Sequence, residues 1–270
     1  MSERMTIEVD GLRASYLTAG ERGPVVLLLH GTYWSRVWQP VMDGLAAAGL
    51  RPVAVDLPGL GRSEGELTIE TAAVPALAGW VRRFAAAVGA GEPLNVAGHD
   101  IGGAVAQHLL AGGGVRRLAL VNSVTYDSWP VPGVARFRDP AVVASVTAEE
   151  LLGARRTAIT TALARPATEA ELADYLDPWN DARVRRSWMA LAGAADSRHT
   201  LGLVPALTAD RTPKLLVWGE DDTFQEVRHA ERFAAEIPNT TLVRVPGAGH
   251  IPMENDAAAV TGALARFFVE

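Results

Sequence analysis

The sequence predicts an α/β protein with a mostly parallel, doubly wound sheet. Continuous apolar runs such as residues 24–31, PVVLLLHG, are typical of strands that are buried on both faces. Helical patterns separate these runs, and strands alternating with helices at this spacing indicate βαβ units. The alternation stops after Ser123 and resumes at residues 214–220, KLLVWGE, which predicts a helical insertion within one sheet.

The individual elements follow from the pattern in chain order. MTIEVDG and LRASYLTAG alternate like a half-exposed antiparallel pair. Further strands are predicted in PVVLLLHG, RPVAVDLPG, PLNVAGHD, VRRLALVNS, KLLVWGE and TTLVRVPGAGH. Helices are predicted at about 36–49, in IGGAVAQHLLAGG, at 223–237 and in a final segment that ends at Phe268. The segment TIETAAVPALAGWVRRFAAAVGA is predicted to be one long helix, in which Pro75 either kinks the helix or marks its first turns.

The insertion divides the chain into two predicted units. Residues 1–123 and 212–270 form the sheet-containing core, and residues 124–211 form a helical cap. The cap holds two clear helical stretches, PAVVASVTAEELLGARRTAITTAL and TEAELADYLDPW. Since open α/β sheets bind ligands at the carboxyl ends of their strands, we expect the cap to act as a lid over that edge.

Composition limits the classes of function. The chain has 270 residues, of which 49% are hydrophobic and 21% are charged, and these values are typical of a globular protein with ample core. Its net charge of −6 and the lack of a basic stripe argue against nucleic acid as a partner. No apolar run approaches the ~20 residues that span a bilayer, and no secretory signal is evident. We expect a cytoplasmic protein, monomeric or homodimeric, that acts on a small molecule.

No cofactor or metal is expected. The sequence contains no cysteine, which excludes disulfides and thiolate metal sites. It also lacks a GxGxxG motif after the first strand and a His/Asp cluster at ligand spacing.

The stretch GHDIGG, residues 98–103, joins a predicted strand to a predicted helix. A sharp strand-to-helix turn with small neighbours is the context of a nucleophile elbow, where hydrolases commonly have serine. Here the central residue is Asp100. An aspartate before a helix is also a preferred N-cap, which is the alternative explanation for Asp100.

Five motifs together resemble the α/β-hydrolase superfamily, and within it the aspartate-nucleophile branch of epoxide hydrolases and haloalkane and haloacetate dehalogenases. They are HG at 30–31, DLPGLGRS at 56–63, GHDIGG at 98–103, WGEDD at 218–222 and GAGH at 247–250. The resemblance covers nearly the whole chain outside the cap. It implies an α/β-hydrolase fold with an eight-stranded sheet and a cap inserted after strand 6.

The resemblance also implies a catalytic triad in the chain order nucleophile, acid, histidine. Asp100, Asp222 and His250 occur in this order, each after a predicted strand. Asp127 is an alternative acid, because some members of the superfamily draw the acid from the position after the preceding strand. By the same resemblance, the backbone N–H groups of Thr32 and Ile101 form an oxyanion hole.

An aspartate nucleophile predicts a particular reaction. A carboxylate is ionised at neutral pH, so it can attack a saturated carbon without a base and form an alkyl ester. The histidine then activates the water that hydrolyses this ester, and the second carboxylate orients the imidazole. The substrate therefore needs a leaving group on saturated carbon, either a halide or the oxygen of an epoxide.

Departures from the pattern favour the epoxide. Typical haloalkane dehalogenases cradle the halide with Trp and Asn at the positions of Ile101 and Thr32. Many epoxide hydrolases have Pro at the position of Tyr33. This departure weakens the epoxide hypothesis less directly than the missing halide cradle weakens dehalogenation, because the proline does no chemistry. Epoxide hydrolysis is thus the first hypothesis, and haloalkane or haloacid dehalogenation is the second. A non-hydrolytic protein, either a ligand receptor or a cofactor-independent lyase or oxygenase, is the third.

Aromatic and histidine side chains are candidates to contact the leaving group. Epoxide opening needs a hydrogen bond to the leaving oxygen, which tyrosines or a His/Tyr pair can donate, and haloacetate dehalogenases hold halide with lid His, Trp and Tyr. Packing is the alternative explanation for each candidate. The candidates are Tyr33, Trp34, Tyr126, Tyr175, Trp179, Trp188 and His199.

Overall fold

The computed structural model describes residues 1–269, and its centre is one eight-stranded sheet with the strand order β1-β2-β4-β3-β5-β6-β7-β8. The strands β1 and β2 form an antiparallel hairpin, β2 pairs antiparallel with β4, and all remaining pairs are parallel. The predicted mostly parallel sheet is therefore confirmed. The strands are β1 Glu3–Val9, β2 Leu12–Thr18, β3 Val25–Leu29, β4 Arg51–Val55, β5 Leu94–Asp100, β6 Val115–Ser123, β7 Lys214–Gly219 and β8 Thr240–Val245.

Helices cover both faces of the sheet. The helices are α1 Gln39–Ala47, α2 Val74–Ala87, α3 Ile101–Ala111, α4 Pro132–Ala135, α5 Pro140–Ser145, α6 Ala148–Leu163, α7 Glu169–Leu176, α8 Ala182–Ala194, α9 Arg198–Leu201, α10 Val204–Ala209, α11 Val227–Glu236, α12 Pro252–Asn255 and α13 Ala257–Val269. One core cluster joins the sheet to α1 and α13, and the other joins it to α2, α3 and α11. Because both faces are covered, every residue of β5 and β7 is buried.

Two predicted helices have different boundaries in the structure. The helix α2 begins at Val74 with Pro75 in its first turn, so the proline starts the helix, and residues 69–73 before it form turns. The stretch PAVVASVTAEELLGARRTAITTAL divides into α5 and α6. Thr147 caps α6 in a capping box with Glu150, and this cap begins a new helix inside the predicted one.

Residues 124–213, all of which the structure describes, contain helices and no strand. They leave the sheet after β6 and return to it at β7. Two side chains of this helical insertion, Arg155 on α6 and Trp188 on α8, donate hydrogen bonds to the carbonyl oxygen of Thr32 beyond the end of β3. The insertion thus lies over the carboxyl edge of the sheet.

Among residues 1–269, no helix combines the length and the apolar composition needed to cross a bilayer.

Candidate active site

Asp100 lies at a sharp turn between β5 and α3. Its backbone has φ 54° and ψ −128°, a conformation that costs free energy in a residue other than glycine. The turn requires glycine on both sides. A Cβ on Gly98 would lie 2.4 Å from the Gly102 carbonyl oxygen, and a Cβ on Gly102 would lie 2.4 Å from the Leu29 carbonyl oxygen. The sequence GHDIGG therefore packs this turn against the end of β3.

The Asp100 carboxylate is held by the loop after β3. Its Oδ2 accepts hydrogen bonds from the Thr32 backbone N–H at 2.9 Å and from the Thr32 hydroxyl at 2.8 Å. A Cβ on Gly31 would lie 2.5 Å from both this oxygen and the Ile101 nitrogen, so only glycine allows the close approach. The Asp100 side chain makes no capping hydrogen bond to α3, and the geometry therefore does not favour the explanation of Asp100 as a helix cap.

His250 and Asp222 form a buried pair beside this turn. The Nδ1 of His250 lies 2.8 Å from the Asp222 Oδ2. Asp222 also accepts from the amide of Asn122 at 2.7 Å and from the backbone N–H groups of Phe224 and Gln225. The alternative acid, Asp127, is exposed and lies 3.5 Å from Arg232. Asp222 is thus the carboxylate that contacts the histidine.

The pair favours the charged forms of both partners. Burial lowers the pKa of His250, but the nearby Asp222 carboxylate outweighs burial and raises that pKa above its ordinary value. Burial raises the pKa of Asp222, but the charge of His250 and the donated hydrogen bonds hold that pKa below its usual range. The two directions agree, as an Asp–His hydrogen bond requires.

The two other histidines of this region have fixed hydrogen bonds. His30 is fully buried, accepts from the Leu57 N–H at its Nε2 and donates from its Nδ1 to the Gly31 carbonyl oxygen. The Nε2 of His99 donates to the His250 carbonyl oxygen. Burial and the neighbouring His250 lower the pKa of His99 to about 4, so its imidazole is neutral near pH 7. Both imidazoles are thus engaged in hydrogen bonds within the fold.

A buried carboxylate from the DLPGLGRS motif supports the loop after β3. Asp56 accepts from the backbone N–H groups of Ser35 and Arg62 and from the Arg4 guanidinium at 2.8 Å. A Cβ on Gly61 would lie 2.4 Å from this carboxylate. Asp56 thereby ties three separate segments together next to the site.

A small cavity of about 90 Å³ opens beside Asp100 and His250. The aliphatic and aromatic part of its lining comes mainly from the helical insertion and the turn after β7. The polar part is formed by a few convergent side chains, as is usual for small-molecule sites. The lining residues are Thr32, Tyr33, Asp100, Ile101, Val124, Trp129, Pro130, Val131, Val134, Arg155, Ala158, Phe224, Gln225 and His250.

Of the expected leaving-group contacts, Tyr33 lines this cavity. Its ring centroid lies 6.2 Å from that of His250, and its side chain is buried. Burial raises the pKa of the Tyr33 hydroxyl, which therefore stays protonated at neutral pH.

The other candidate aromatics lie behind or beside the cavity. The Tyr175 hydroxyl donates to Glu254 at 2.8 Å, and the Tyr175 carbonyl oxygen accepts from the Trp34 indole. The Trp188 indole donates to the Thr32 carbonyl oxygen, and Trp179 stacks against Arg155.

The two remaining candidates lie at other surfaces of the core. The ring of Tyr126 contacts Arg232 and Phe233 of α11. His199 packs against His108 of α3, with 6.1 Å between the ring centroids.

Sequence reasoning missed two residues of this region. Asn122, at the end of β6, bonds to Asp222 and accepts from the Gly219 N–H. Its position at the carboxyl end of a buried strand was the available signal. Arg155 lines the cavity, but in the stretch GARRTAI nothing distinguishes it from Arg156.

No group of three or more His, Cys, Asp or Glu side chains within residues 1–269 has the arrangement of a metal site.

Known proteins resemble the chain over nearly its whole length. The alpha/beta hydrolase family matches residues 26–263. An uncharacterised protein of Mycobacterium tuberculosis is 27% identical over 277 residues, which cover 96% of this chain and 79% of the relative. Epoxide hydrolase 4 of Mus musculus is 25% identical over 295 residues, which cover 98% of this chain and 78% of the relative.

Solved structures share the fold. The epoxide hydrolase CorEH has a TM-score of 0.82 at 23% identity and covers 100% of this chain and 98% of its own. A putative ancestral haloalkane dehalogenase has a TM-score of 0.81 at 24% identity and covers 98% of this chain and 100% of its own.

Proposed function

The chain belongs to the alpha/beta hydrolase family, and on that premise we propose that it is an epoxide hydrolase with Asp100 as nucleophile. One observation supports this proposal above all others. A carboxylate occupies the strained turn between β5 and α3, and one of its oxygens is held by two donors from Thr32. The sequence likeness to the mouse epoxide hydrolase adds support.

The first step opens the epoxide. An Asp100 carboxylate oxygen attacks one oxirane carbon, a C–O ester bond forms, and the ring C–O bond breaks. The ring oxygen leaves with the electron pair of the broken bond and takes its proton from the hydrogen-bond donor in the cavity. The two Thr32 donors hold Oδ2, so Oδ1 is the attacking oxygen in this proposal.

The second step hydrolyses the ester. His250, oriented by Asp222 through the 2.8 Å contact, removes a proton from water, and the resulting hydroxide attacks the carbonyl carbon of the ester. Negative charge develops on the carbonyl oxygen, where the Thr32 N–H and hydroxyl donate, together with the Ile101 N–H as proposed from the family pattern. Collapse of this intermediate expels the second diol oxygen, which takes the proton from His250. The Asp100 carboxyl group then releases a proton that replaces the one given up by the donor in the first step, so the net reaction adds one water to one epoxide.

The leaving oxygen needs a hydrogen-bond donor in the cavity. We assign this role to Tyr33, because its protonated side chain lines the cavity next to Asp100 and His250. Tyr175 remains the alternative donor, although its hydroxyl already donates to Glu254.

Carbon–halogen cleavage is the second candidate, and the tryptophans weigh against it. Of the indole N–H groups that could hold a halide, that of Trp129 donates to Thr200 and that of Trp188 donates to Thr32. The Trp179 indole has no acceptor among residues 1–269, but Trp179 is not part of the cavity lining.

We propose that residues 124–211 are a cap domain on a core of residues 1–123 and 212–270. The cap supplies the apolar half of the cavity, from Trp129 to Val134 on one side and from α6 on the other. It excludes water from the first step, in which water would compete with Asp100 for the epoxide.

Product analysis over a matched panel tests this function. Small epoxides and the corresponding haloalkanes and haloacids are incubated with the wild-type protein and with Asp100→Asn. We expect diol from at least one epoxide, no halide release, and no diol from the variant. Halide release without diol formation would establish dehalogenation instead, and equal activity of Asp100→Asn would remove Asp100 from the mechanism.

A further inference from the structure

Arg155 is a buried cation without a carboxylate partner. Its side chain is 4% exposed, and no carboxylate among residues 1–269 lies within ion-pair distance of it. The other buried cation, Lys214, has the usual carboxylate partner, since its ammonium lies 2.9 Å from Asp210. A buried charge without a partner in ion-pair contact is costly, and Lys214 avoids this cost whereas Arg155 does not.

Aromatic rings and one carbonyl oxygen position the Arg155 guanidinium. The guanidinium carbon lies 5.1 Å from the ring centre of Tyr33, 5.2 Å from that of Trp179 and 4.8 Å from that of Trp188. Its Nη2 donates to the Thr32 carbonyl oxygen at 3.0 Å, whereas its Nε has no acceptor. The side chain is thus fixed by stacking and one hydrogen bond, and part of its donor capacity is unused.

Arg155 lines the cavity that also contains Asp100. Thr32 links the two residues, since its carbonyl oxygen accepts from Arg155 and its N–H donates to Asp100. An anion that enters the cavity would be repelled by the Asp100 carboxylate, and Arg155 supplies the compensating charge.

We propose that Arg155 forms a subsite for a carboxylate group carried by the substrate. A planar guanidinium matches a carboxylate in two parallel N–H···O bonds, and a guanidinium in the cavity lining can offer this match to a bound substrate. The proposal rests on the proposed function and deepens it, because it makes the substrate a small epoxide that bears a carboxylate.

The size of the cavity supports a small aliphatic substrate. A cavity of about 150 Å³ lined by apolar side chains accepts benzene. The cavity beside Asp100 measures about 90 Å³, a size that suits an oxirane carboxylate better than an aromatic epoxide.

Binding of a non-reactive probe tests the subsite without depending on catalysis. Propionate and its neutral isostere propionamide are titrated by calorimetry into Asp100→Asn and into Asp100→Asn/Arg155→Met. The control is Asp100→Asn/Arg156→Met, in which an exposed arginine of the same helix is replaced. We expect propionate to bind about tenfold to a hundredfold more weakly when Arg155 is replaced, with no change for Arg156.

The titration also contains the results that would overturn the proposal. Equal propionate affinity with and without Arg155, or equal loss of propionamide binding, would mean that Arg155 only supports the loop. Tight binding of chloride at Arg155 in place of propionate would make the subsite a halide site. Trp188 still donates to the Thr32 carbonyl oxygen in Arg155→Met, and thermal unfolding verifies that each variant is folded.

A kinetic comparison separates recognition from positioning. Glycidate and its neutral amide, glycidamide, differ in charge and hardly in shape. We expect Arg155→Met to lower kcat/KM for glycidate much more than for glycidamide, mainly through a higher KM, and Arg155→Lys to recover part of the loss. A uniform fall in kcat for both substrates would contradict the subsite.

The two failures are distinguishable. If propionate binding depends on Arg155 but no epoxide yields a diol, the carboxylate subsite stands and the epoxide hydrolase function is refuted. If neutral epoxides are opened efficiently and glycidate is not preferred, the epoxide hydrolase function stands and the carboxylate subsite is refuted.

Discussion

Thr32 donates two hydrogen bonds to a single oxygen of Asp100, one from its backbone N–H at 2.9 Å and one from its hydroxyl at 2.8 Å. The carboxylate is thereby fixed in one rotamer at the end of β5. Its two oxygens differ in their hydrogen bonds, because both Thr32 donors contact Oδ2. Fixing a nucleophile before the substrate arrives removes part of the entropic barrier to reaction.

The hydroxyl of Thr32 is expected to contribute to catalysis. Thr32→Val keeps the shape and the backbone N–H but removes one donor to Asp100, and the loss of one such donor typically costs about 100-fold in kcat. Thr32→Ser is the matched control, since it retains the hydroxyl. Steady-state kinetics of the two variants checks this, and equal rates for Val and Ser would show that the backbone N–H suffices.

The activity should depend on the ionisation of His250. Its pKa is raised above 6.5 by Asp222 against the opposing effect of burial, and only the neutral imidazole can accept a proton from water. We therefore expect kcat to fall as the pH is lowered, with a midpoint above the ordinary pKa of a histidine. In Asp222→Asn the pKa of His250 should decrease, because burial then acts without the carboxylate.

Titration of the imidazole by NMR measures that pKa directly in both proteins. The exposed Asp127 provides the control, and Asp127→Asn should leave the pKa of His250 unchanged. A larger decrease in Asp127→Asn than in Asp222→Asn would identify Asp127 as the acid.

The donor to the leaving oxygen can be identified by removing one hydroxyl at a time. We expect Tyr33→Phe to lower kcat for epoxides by about 100-fold, the usual contribution of a positioned acid. Tyr175→Phe removes the hydrogen bond that the Tyr175 hydroxyl donates to Glu254. Its effect on kcat should be smaller than that of Tyr33→Phe. Single-turnover measurements of ester formation distinguish the two, and the reverse order of effects would transfer the role to Tyr175.

The stability of the fold should depend on Asp56. Asp56→Ala leaves the Ser35 and Arg62 N–H groups and the Arg4 guanidinium without their acceptor, which should lower the free energy of unfolding by about 3 kcal/mol. The exposed pair of Glu66 with Arg186 is the control, and Glu66→Ala should cost less than about 1 kcal/mol. Urea unfolding compares the two variants, and similar losses would contradict a structural role for Asp56.

The fold was predictable because its signals are local. Apolar runs such as VVLLL in β3 occur where both faces of a strand are covered, and the break in alternation after Ser123 marks where the chain leaves the sheet. Helix boundaries inside the insertion were less accessible, since Thr147 begins a new helix through hydrogen bonds to Glu150 within a stretch that is helical on both sides.

The site residues were predictable only where neighbouring glycines or the order of residues along the chain indicate their position. Glycines around Asp100 and before His250 indicate tight turns at strand ends, and those turns bring the two residues to one edge of the sheet. Arg155 was not predictable, because what distinguishes it is the lack of a carboxylate partner in the folded protein. Two adjacent arginines are equivalent in sequence, whereas in the structure Arg156 pairs with Glu169 and Arg155 is buried without a carboxylate.

The central claim is that Asp100 becomes covalently bound to the substrate, and mass spectrometry of His250→Gln tests it most directly. Without the base that activates water, the ester formed with an epoxide should accumulate and add the full mass of the substrate to the peptide that contains Asp100. Asp100→Asn/His250→Gln should show no such adduct. An unmodified Asp100 peptide in His250→Gln, with an epoxide that the wild-type protein converts to its diol, would contradict the mechanism.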